Sequence, residues 1–584
     1  MASIDDLFKK PALPSNKRKL DATRDPNEIY KSAKLASNGH ASSNERLTTV
    51  EDEEDDDMEA GPQMPPDEED EGDDEEGRFF ESGITQQENA ILDFMTDDKD
   101  EAEIVPEKID TAWLRKLALN FEKKITKNSE LRAKFEGNPQ KFMGSEADLD
   151  ADIKALSILT EHSELYGEFS KLGCVGSLVG LLAHENTDIA IDAIEIVSEL
   201  TDQDVEAEQE QWDTLVDAMI VADLLDLLVS NFSRFDEGNE SDRSGVYHAL
   251  GVLENLASRP SIAEKIGQGT HVLKWLLGRI QKKESQVGQN KQYAAEVLAI
   301  LLQSSPANRN KLCDLDGVDL LLQLLAPYRK RDPTKGTEEE EFVENIFDCL
   351  TCVVDETDGK YKLVEAEGME LGLLMIKKGK MSKPRALRLI DHAIGGQTGA
   401  EACEKLVEAA GLKVVFGTFM KKHDSQATEH LLGIFASLLR SLPANSAGRI
   451  RTLAKFVEKD YEKLGRLIKF RRDYASRVSI VDDQIRKEQS GLYAEEREDM
   501  ADEWDSRRLD AGLFCLQTID IILAWLIAED EGARKAIQSL LAEQDESFAV
   551  IKATIEEQLD AIVGDSEEEE LTKDMLTALL QFVT

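Results

Sequence analysis

Cys349 and Cys352 have the spacing of a pair that could hold a metal or cycle between thiol and disulfide. A structural zinc site needs a second such pair or a pair of histidines, and a redox site needs a strand leading into the motif. Neither is found at the required spacing. The flanking Ile346-Phe347 and Val353-Val354 instead place both thiols inside an apolar helix. Asp148, Asp150 and Asp152 begin like a calcium-binding loop. Its sixth position is Ile153 where glycine is required, and its twelfth is Leu159 where a glutamate is required. Gly395-Gly396-Gln397-Thr398-Gly399 has the glycines of a phosphate loop without its lysine, and reads as a turn between helices. Asp391 and His392 are adjacent and could relay a proton. No GxSxG or comparable nucleophile motif accompanies them, and the eight histidines are scattered. What remains for these side chains is recognition rather than catalysis, with no metal and no cofactor expected.

Charge indicates what would be recognised. The 584 residues carry 118 acidic against 69 basic side chains, a net charge of −49. Residues 1–110 hold 33 acidic and 12 basic side chains, or −21, which leaves −28 on the rest. The acidity is therefore a property of the body as well as of the tail. Such a surface repels nucleic-acid phosphates and anionic membranes and attracts basic peptides. Neither direct nucleic-acid binding nor membrane contact is expected. Six thinly spread cysteines fit a reducing compartment. Met1 to Lys10 has no apolar signal-peptide core. The most apolar late stretch, Ile519 to Ile527, is interrupted by Asp520 and falls short of the roughly 20 residues that cross a bilayer. A soluble protein of the cytosol or nucleus is the expectation.

The elements that must position these groups follow from patterning. Residues 1–85 read as a disordered tail, because the carboxylate runs Glu51–Glu59 and Asp67–Glu76 cannot bury enough apolar surface to offset chain entropy. Within it, Lys17-Arg18-Lys19, preceded by Pro14, reads as a nuclear localisation signal. Residues 86–166 turn helical and form an N-terminal cap; Trp113, Leu114, Leu117 and Phe121 share one helix face. Over 167–442 a unit repeats. A glycine or alanine opens a short leucine-rich helix, a polar loop follows, and a longer aliphatic helix closes the unit. The openings fall at Gly173, Ala222, Gly269, Gly317, Gly368 and Gly411, close to the period of about 40–47 residues of armadillo and HEAT arrays. One unit cannot bury its own apolar face, so the units must stack into an all-α solenoid. Residues 443–584 form a C-terminal helical region. Residues 450–488 read as one long charged helical stretch with a basic spot at Lys469-Phe470-Arg471-Arg472, a candidate RNA contact. The apolar Leu509–Ile527 helix suits either a cap or a homodimer contact.

In armadillo units the last, longest helix faces the groove. Phasing these helices on that pattern directs Glu195 and Glu199, Gly251 and Asn255, Glu296, and Asp348 and Cys352 inward. A stripe of carboxylates with an asparagine is a cradle for lysine and arginine side chains.

The chain also resembles the beta-catenin-like protein 1 family. The likeness is carried by Arg78-Phe79-Phe80 and Gly83-Ile84-Thr85, then by Leu131-Arg132-Ala133-Lys134-Phe135 and Asn138-Pro139-Gln140-Lys141-Phe142-Met143. It continues in His184-Glu185-Asn186-Thr187-Asp188, in Glu296–Gln303, and in Arg507-Arg508-Leu509-Asp510-Ala511-Gly512-Leu513-Phe514. The resemblance implies an armadillo solenoid with helical caps, a nuclear location, and a place in the pre-mRNA splicing machinery with the nineteen complex. It also implies recognition of basic, nuclear-localisation-type segments of partners, notably the Myb-related subunit of that complex. A short loop at Lys421–Ala427 is a departure that fits a fungal-like or otherwise distant member. The competing reading is a nuclear import adaptor of the importin-α type. It would need a basic N-terminal segment and groove tryptophans, whereas Trp113, Trp212, Trp275, Trp504 and Trp525 fall elsewhere.

Overall fold

The computed structural model describes residues 108–583 apart from Thr270, Val563 and Asp565. The acidic runs, the Lys17-Arg18-Lys19 cluster and the part of the N-terminal cap before residue 108 lie outside the described residues. Within them every regular element is a helix. The first, α1 (Thr111–Lys134), is started by Asp110, whose carboxylate accepts the backbone N–H groups of Ala112 and Trp113 at 2.9 and 3.0 Å. Those donors have no partner inside a helix, so the side chain supplies it. Leu114 and Phe121 of α1 are buried together with Leu149 and Ile153 of α2 (Met143–Ala155), which packs beside it.

Six units follow, each ending in a long helix: α3 (Thr187–Thr201), α4 (Glu240–Ala257), α5 (Gln289–Ser304), α6 (Glu338–Val353), α7 (Ser382–Ile394) and α8 (Ser425–Ser441). Each of these packs on the next, giving one unbroken row. The expected all-α armadillo architecture is what the chain adopts. The units have three helices where the sequence pattern shows two. The missed first helix is short and sparsely apolar: Pro306–Asp314 buries only Asn308, Leu312 and Cys313, too few positions to show a period.

The junction after that first helix explains the opening glycines. At Gly317, Gly368 and Gly411 the left-handed residue is the one before the glycine: Asp316, Glu367 and Ala410 have φ of 53°, 56° and 58°, whereas at the first opening Gly173 is itself left-handed with φ of 79°. The glycine is needed for room. A Cβ on Gly368 would stand 2.5 Å from Leu363 Cδ1, and one on Gly317 would stand 2.5 Å from Leu312 Cγ.

Beyond the row, α9 (Ala447–Gln489) differs from the uninterrupted stretch expected. It breaks at 458–461, where Lys459, Asp460 and Tyr461 take left-handed φ of 53°, 55° and 61°. Glu458, Lys459 and Asp460 are exposed, and Tyr461 packs against the core. The apolar helix α10 (Leu513–Glu529) is consumed inside the chain. Ile519, Ile522, Leu523 and Leu526 are fully buried, packed among α8, α9, α11 (Glu531–Ala542), α12 (Ala549–Ala561) and α13 (Glu567–Leu580). It caps the row. No single described helix is long and apolar enough to cross a membrane.

Two buried arginines fasten this cap. Arg449, 1 % exposed, donates from Nε to Glu529 at 2.9 Å and from Nη1 to the Leu438 carbonyl at 3.2 Å, and lies 4.8 Å over the Trp525 ring. Arg471 grips the fully buried Asp520 with Nε and Nη2 at 2.7 and 3.2 Å. Burial pushes the Asp520 carboxyl up to about 6, and the Arg471 charge opposes it. The basic spot is thereby largely withdrawn from solvent. Arg471 is inside, and Arg472 bonds Glu546 at 2.9 Å and the Leu540 carbonyl at 2.7 Å. Of the run, only Lys469 stays exposed. Arg471→Ala, which strands Asp520 in an apolar interior, is expected to cost about 3–5 kcal/mol in chemical denaturation. The double change Arg471→Met with Asp520→Leu should cost clearly less. Equal losses would show that the ion pair is not what matters there.

Candidate functional site

The open edge of the row is polar, and its groups mostly bond from one long helix to the next. Between α3 and α4, His248 Nε2 lies 3.6 Å from Glu195 Oε1. Between α4 and α5, the Tyr293 hydroxyl donates to Glu254 at 2.6 Å. Between α6 and α7, Arg388 donates to Asp348 at 2.9 Å and Arg385 pairs with Glu344. Between α7 and α8, His430 meets Asp391 at 3.0 Å. The adjacent Asp391 and His392 do not meet each other: His392 turns back to Asp355 at 3.1 Å. No proton relay exists there.

The predicted groove residues fare differently. Glu195 and Glu296 are half-buried on the row and Glu199 is exposed. Glu296 accepts from Gln292 at 2.8 Å. Partial removal from water, and then the nearby Glu195 charge, raise Glu199 above the ordinary carboxylate range. Asp348 is committed to Arg388; burial raises it and the guanidinium opposes. Asn255 corrects the expectation most clearly. It is 6 % exposed and gives both amide hydrogens to the preceding helix, at 3.1 Å to the Ser198 carbonyl and 3.2 Å to Thr201 Oγ1. Gly251 is filled from both sides, since a Cβ there would lie 2.9 Å from Ser198 Oγ. Cys352 is buried, which pushes its thiol up to about 12, and Cys349 donates to the Ala295 carbonyl at 3.8 Å. Both are core thiols. Glu195, Glu199, Glu254 and Glu296 on α3 to α5 stay partly accessible, as does Glu429 on α8.

One cluster was missed in sequence. Asp150, read as part of a failed calcium loop, lies against Asp192 of α3, with Lys154 3.3 Å from Asp192. Burial first, then the Asp150 carboxyl, pushes Asp192 up to about 7, while the hydrogen bond from Asp192 lowers Asp150. The two carboxyls share a proton. Asp148 turns to Lys127 at 3.3 Å and Asp152 accepts from Asn120 at 2.7 Å. Among the described residues no group of three or more ligand side chains could hold a metal ion.

A family model described as catenin-beta-like, Arm-motif containing nuclear matches residues 89–556. The chain belongs to that family. The beta-catenin-like protein 1 homolog of Schizosaccharomyces pombe is 40 % identical over 517 residues, covering 86 % of this chain and 90 % of that one. Beta-catenin-like protein 1 of Homo sapiens is 36 % identical over 481 residues, covering 80 % and 84 %. Among solved structures, a designed armadillo repeat protein in complex with the peptide (KR)4 aligns over 45 % of this chain and 99 % of its own, at 15 % identity and a TM-score of 0.36.

Three of the motifs that carried the family resemblance, Leu131–Phe135, Asn138–Met143 and His184–Asp188, meet in space; Arg78–Phe80 and Gly83–Thr85 lie outside the described residues. Arg132 pairs with Glu146 of α2 and with Glu185 at 2.6 Å, and lies 4.8 Å over the Phe142 ring. Asn186 donates to Glu146 at 3.3 Å and caps α3 through the Asp188 N–H at 3.1 Å. His184 Nε2 lies 3.1 Å from Asn128 Oδ1, whose amide reaches Ser145 at 3.0 Å. Their shared task is to lock the N-terminal cap onto the first unit.

The carboxyl pair gives a pH test. Asp192 titrates at about 7 in the fold against 3.8 unfolded, so between those values the folded chain holds a proton that the unfolded chain releases. The stability this group contributes is fully present at low pH and is lost as pH rises through about 7. Asp192→Asn cannot lose that proton. Thermal melts from about pH 5 to 8 should show the variant gaining on the wild type until the carboxyl is fully ionised, and parallel profiles would refute the shared proton.

Proposed function

We propose that the chain is a non-enzymatic nuclear scaffold of the pre-mRNA splicing machinery, receiving basic, nuclear-localisation-type segments of partner proteins on the acidic end of its helical row. The observation that carries this is the placement of Glu195, Glu199, Glu254 and Glu296 on three consecutive row helices, none fully buried. Lysine and arginine side chains laid along them form charge-assisted hydrogen bonds. Membership of a nuclear armadillo family supports the location and the scaffold role. The resemblance to beta-catenin-like protein 1 supports the splicing context, with the Myb-related subunit of the nineteen complex as the expected partner.

The import-adaptor reading loses further ground on the tryptophans. Trp212 is buried and donates to the Thr201 carbonyl at 3.0 Å. Trp275 stacks on Phe232 with ring centroids 3.9 Å apart. Neither stands on a row helix.

The test is fluorescence anisotropy with a labelled peptide carrying a basic nuclear-localisation sequence. Binding should weaken steeply from low to physiological salt. The variant Glu195→Lys, Glu199→Lys, Glu296→Lys should bind about tenfold or more weakly while melting like the wild type. Asp348→Asn, whose carboxylate is already spent on Arg388, should bind within about twofold of wild type. Undiminished binding by the triple variant would end the proposal for this face.

A further inference from the structure

The loops that enter the last three row helices differ in charge from the chain as a whole. The segment before α6 carries Arg329, Lys330, Arg331 and Lys335; before α7, Lys377 and Lys378 close the helix Gly368–Lys378 and Lys380 follows it; the loop before α8 carries Lys421 and Lys422. All nine are exposed. The loops stack along one edge. The Asp332 carboxylate accepts the Met381 N–H at 3.1 Å, and Ser382 Oγ donates to the Tyr328 carbonyl at 3.2 Å, joining the first loop to the second. Lys383 acts electrostatically on His423, joining the second to the third. Arg466 of α9 donates to the Lys421 carbonyl at 2.6 Å and brings the exposed Lys469 to the same edge. Adjacent packed helices stand about 8–10 Å apart, so the edge is a ladder of cations roughly 20–30 Å long.

Four glutamates, Glu338–Glu341, open α6 beside the first loop and offset its cations, so the excess of positive charge lies on the Lys377–Lys380 and Lys421–Lys422 rungs; Glu340 accepts the Gly336 N–H at 2.6 Å. Asp332 is bonded as described, Asp424 caps α8 by accepting the Ala427 N–H at 2.8 Å, and Glu339 pairs with Arg331. The net charge of −49 does not cancel the ladder at close range, because charges beyond a Debye length of about 8 Å are screened at physiological salt.

We propose that this edge binds the phosphate backbone of single-stranded RNA, without reading its sequence. Lysine binds phosphate as a point charge, and a row of such charges meets a repeated phosphate. The guanidinium groups nearby are spent inside the chain: Arg329 on the Ala326 carbonyl, Arg331 on Glu339, Arg385 on Glu344, Arg466 on the Lys421 carbonyl. Seven of the nine exposed cations are lysines, point charges without a planar fork; the other two, Arg329 and Arg331, are exposed but engaged as given. Evenly spaced point charges suit a phosphodiester chain, and they position the strand without discriminating bases. The inference is independent of the peptide-binding face, which lies on other helices.

The test titrates the full chain into a fluorescein-labelled oligouridylate at several salt concentrations. Binding is expected at low salt. The variant Lys377→Glu, Lys378→Glu, Lys380→Glu should weaken it about tenfold or more, and should reduce the slope of log K against log salt by about 0.7 for each phosphate it no longer neutralises. These lysines are exposed, so circular dichroism melts should be unchanged. A control, Lys535→Glu with Lys552→Glu on α11 and α12, should bind within about twofold of wild type. No binding at low salt, or equal weakening by the control, overturns the proposal. So does displacement of the RNA by polyglutamate as readily as by unlabelled RNA of the same charge, which would assign the edge to acidic protein segments.

Discussion

No unit of this chain can bury its apolar face alone, and everything else in the structure answers to that constraint. The row α3 to α8 is the solution: each long helix is covered by its neighbour, so the core runs on from Leu114 near one end to Val583 at the other. A stack solves the problem only for its interior members. Its first unit must be closed by α1 and α2, through the Arg132, Glu146 and Asn186 cluster. Its last must be closed by α9 to α13. That second closure covers a long helix, α8, with another, α10, that is apolar on nearly every side, and the two arginines that fasten it, Arg449 and Arg471, are almost wholly inside. Buried guanidinium groups are tolerable only when their donors find acceptors, and here the acceptors come from segments far along the chain.

Stacking also decides how much of the molecule could be read from sequence. What repeats along the chain was legible: the leucine-rich second helix, the long third helix, the glycine between the first two. Cys349 and Cys352 could be assigned to the core because their neighbours on both sides are apolar. What forms across units was not. Glu195 meets His248, Asp348 meets Arg388, and Asn255 reaches back to Ser198. Each pairing joins residues on different units, with no local signal to announce it. The expected groove stripe lies on the row helices, and two of its members, Asp348 and Asn255, are engaged within the chain. Two members of the basic spot at Lys469–Arg472, Arg471 and Arg472, are engaged within the chain for the same reason. The partner of Arg471, Asp520, was visible only as an interruption of an apolar helix, yet a lone carboxylate in such a helix is itself a sign that a buried cation must come from elsewhere.

Net charge behaves similarly. A value of −49 describes the far field and the general repulsion of polyanions. It says little about any one surface, because screening confines each exposed charge to its surroundings. Acid gathers on α3 to α5 and exposed lysine on the loops entering α6 to α8, so one solenoid offers two surfaces of opposite sign.

On the proposed reading, recognition at one end of the row has a physical reason. Every carboxylate there has two suitors, a neighbouring row helix and any ligand laid along the face. At α6 and α7 the neighbour is a guanidinium: Arg388 holds Asp348 and Arg385 holds Glu344. An incoming lysine would have to displace a charge of its own kind and leave it unpaired and partly buried, a net loss. At α3 to α5 the neighbours are neutral. Tyr293 donates a hydroxyl to Glu254, Gln292 an amide to Glu296, and burial lowers the pKa of His248 beside Glu195, so that ring is uncharged near neutral pH. A neutral donor stabilises a carboxylate less than a cation does. An arriving lysine or arginine can add its charge to these sites without expelling another. The stacking partners, more than the positions of the carboxylates, set which part of the face remains open to a basic segment.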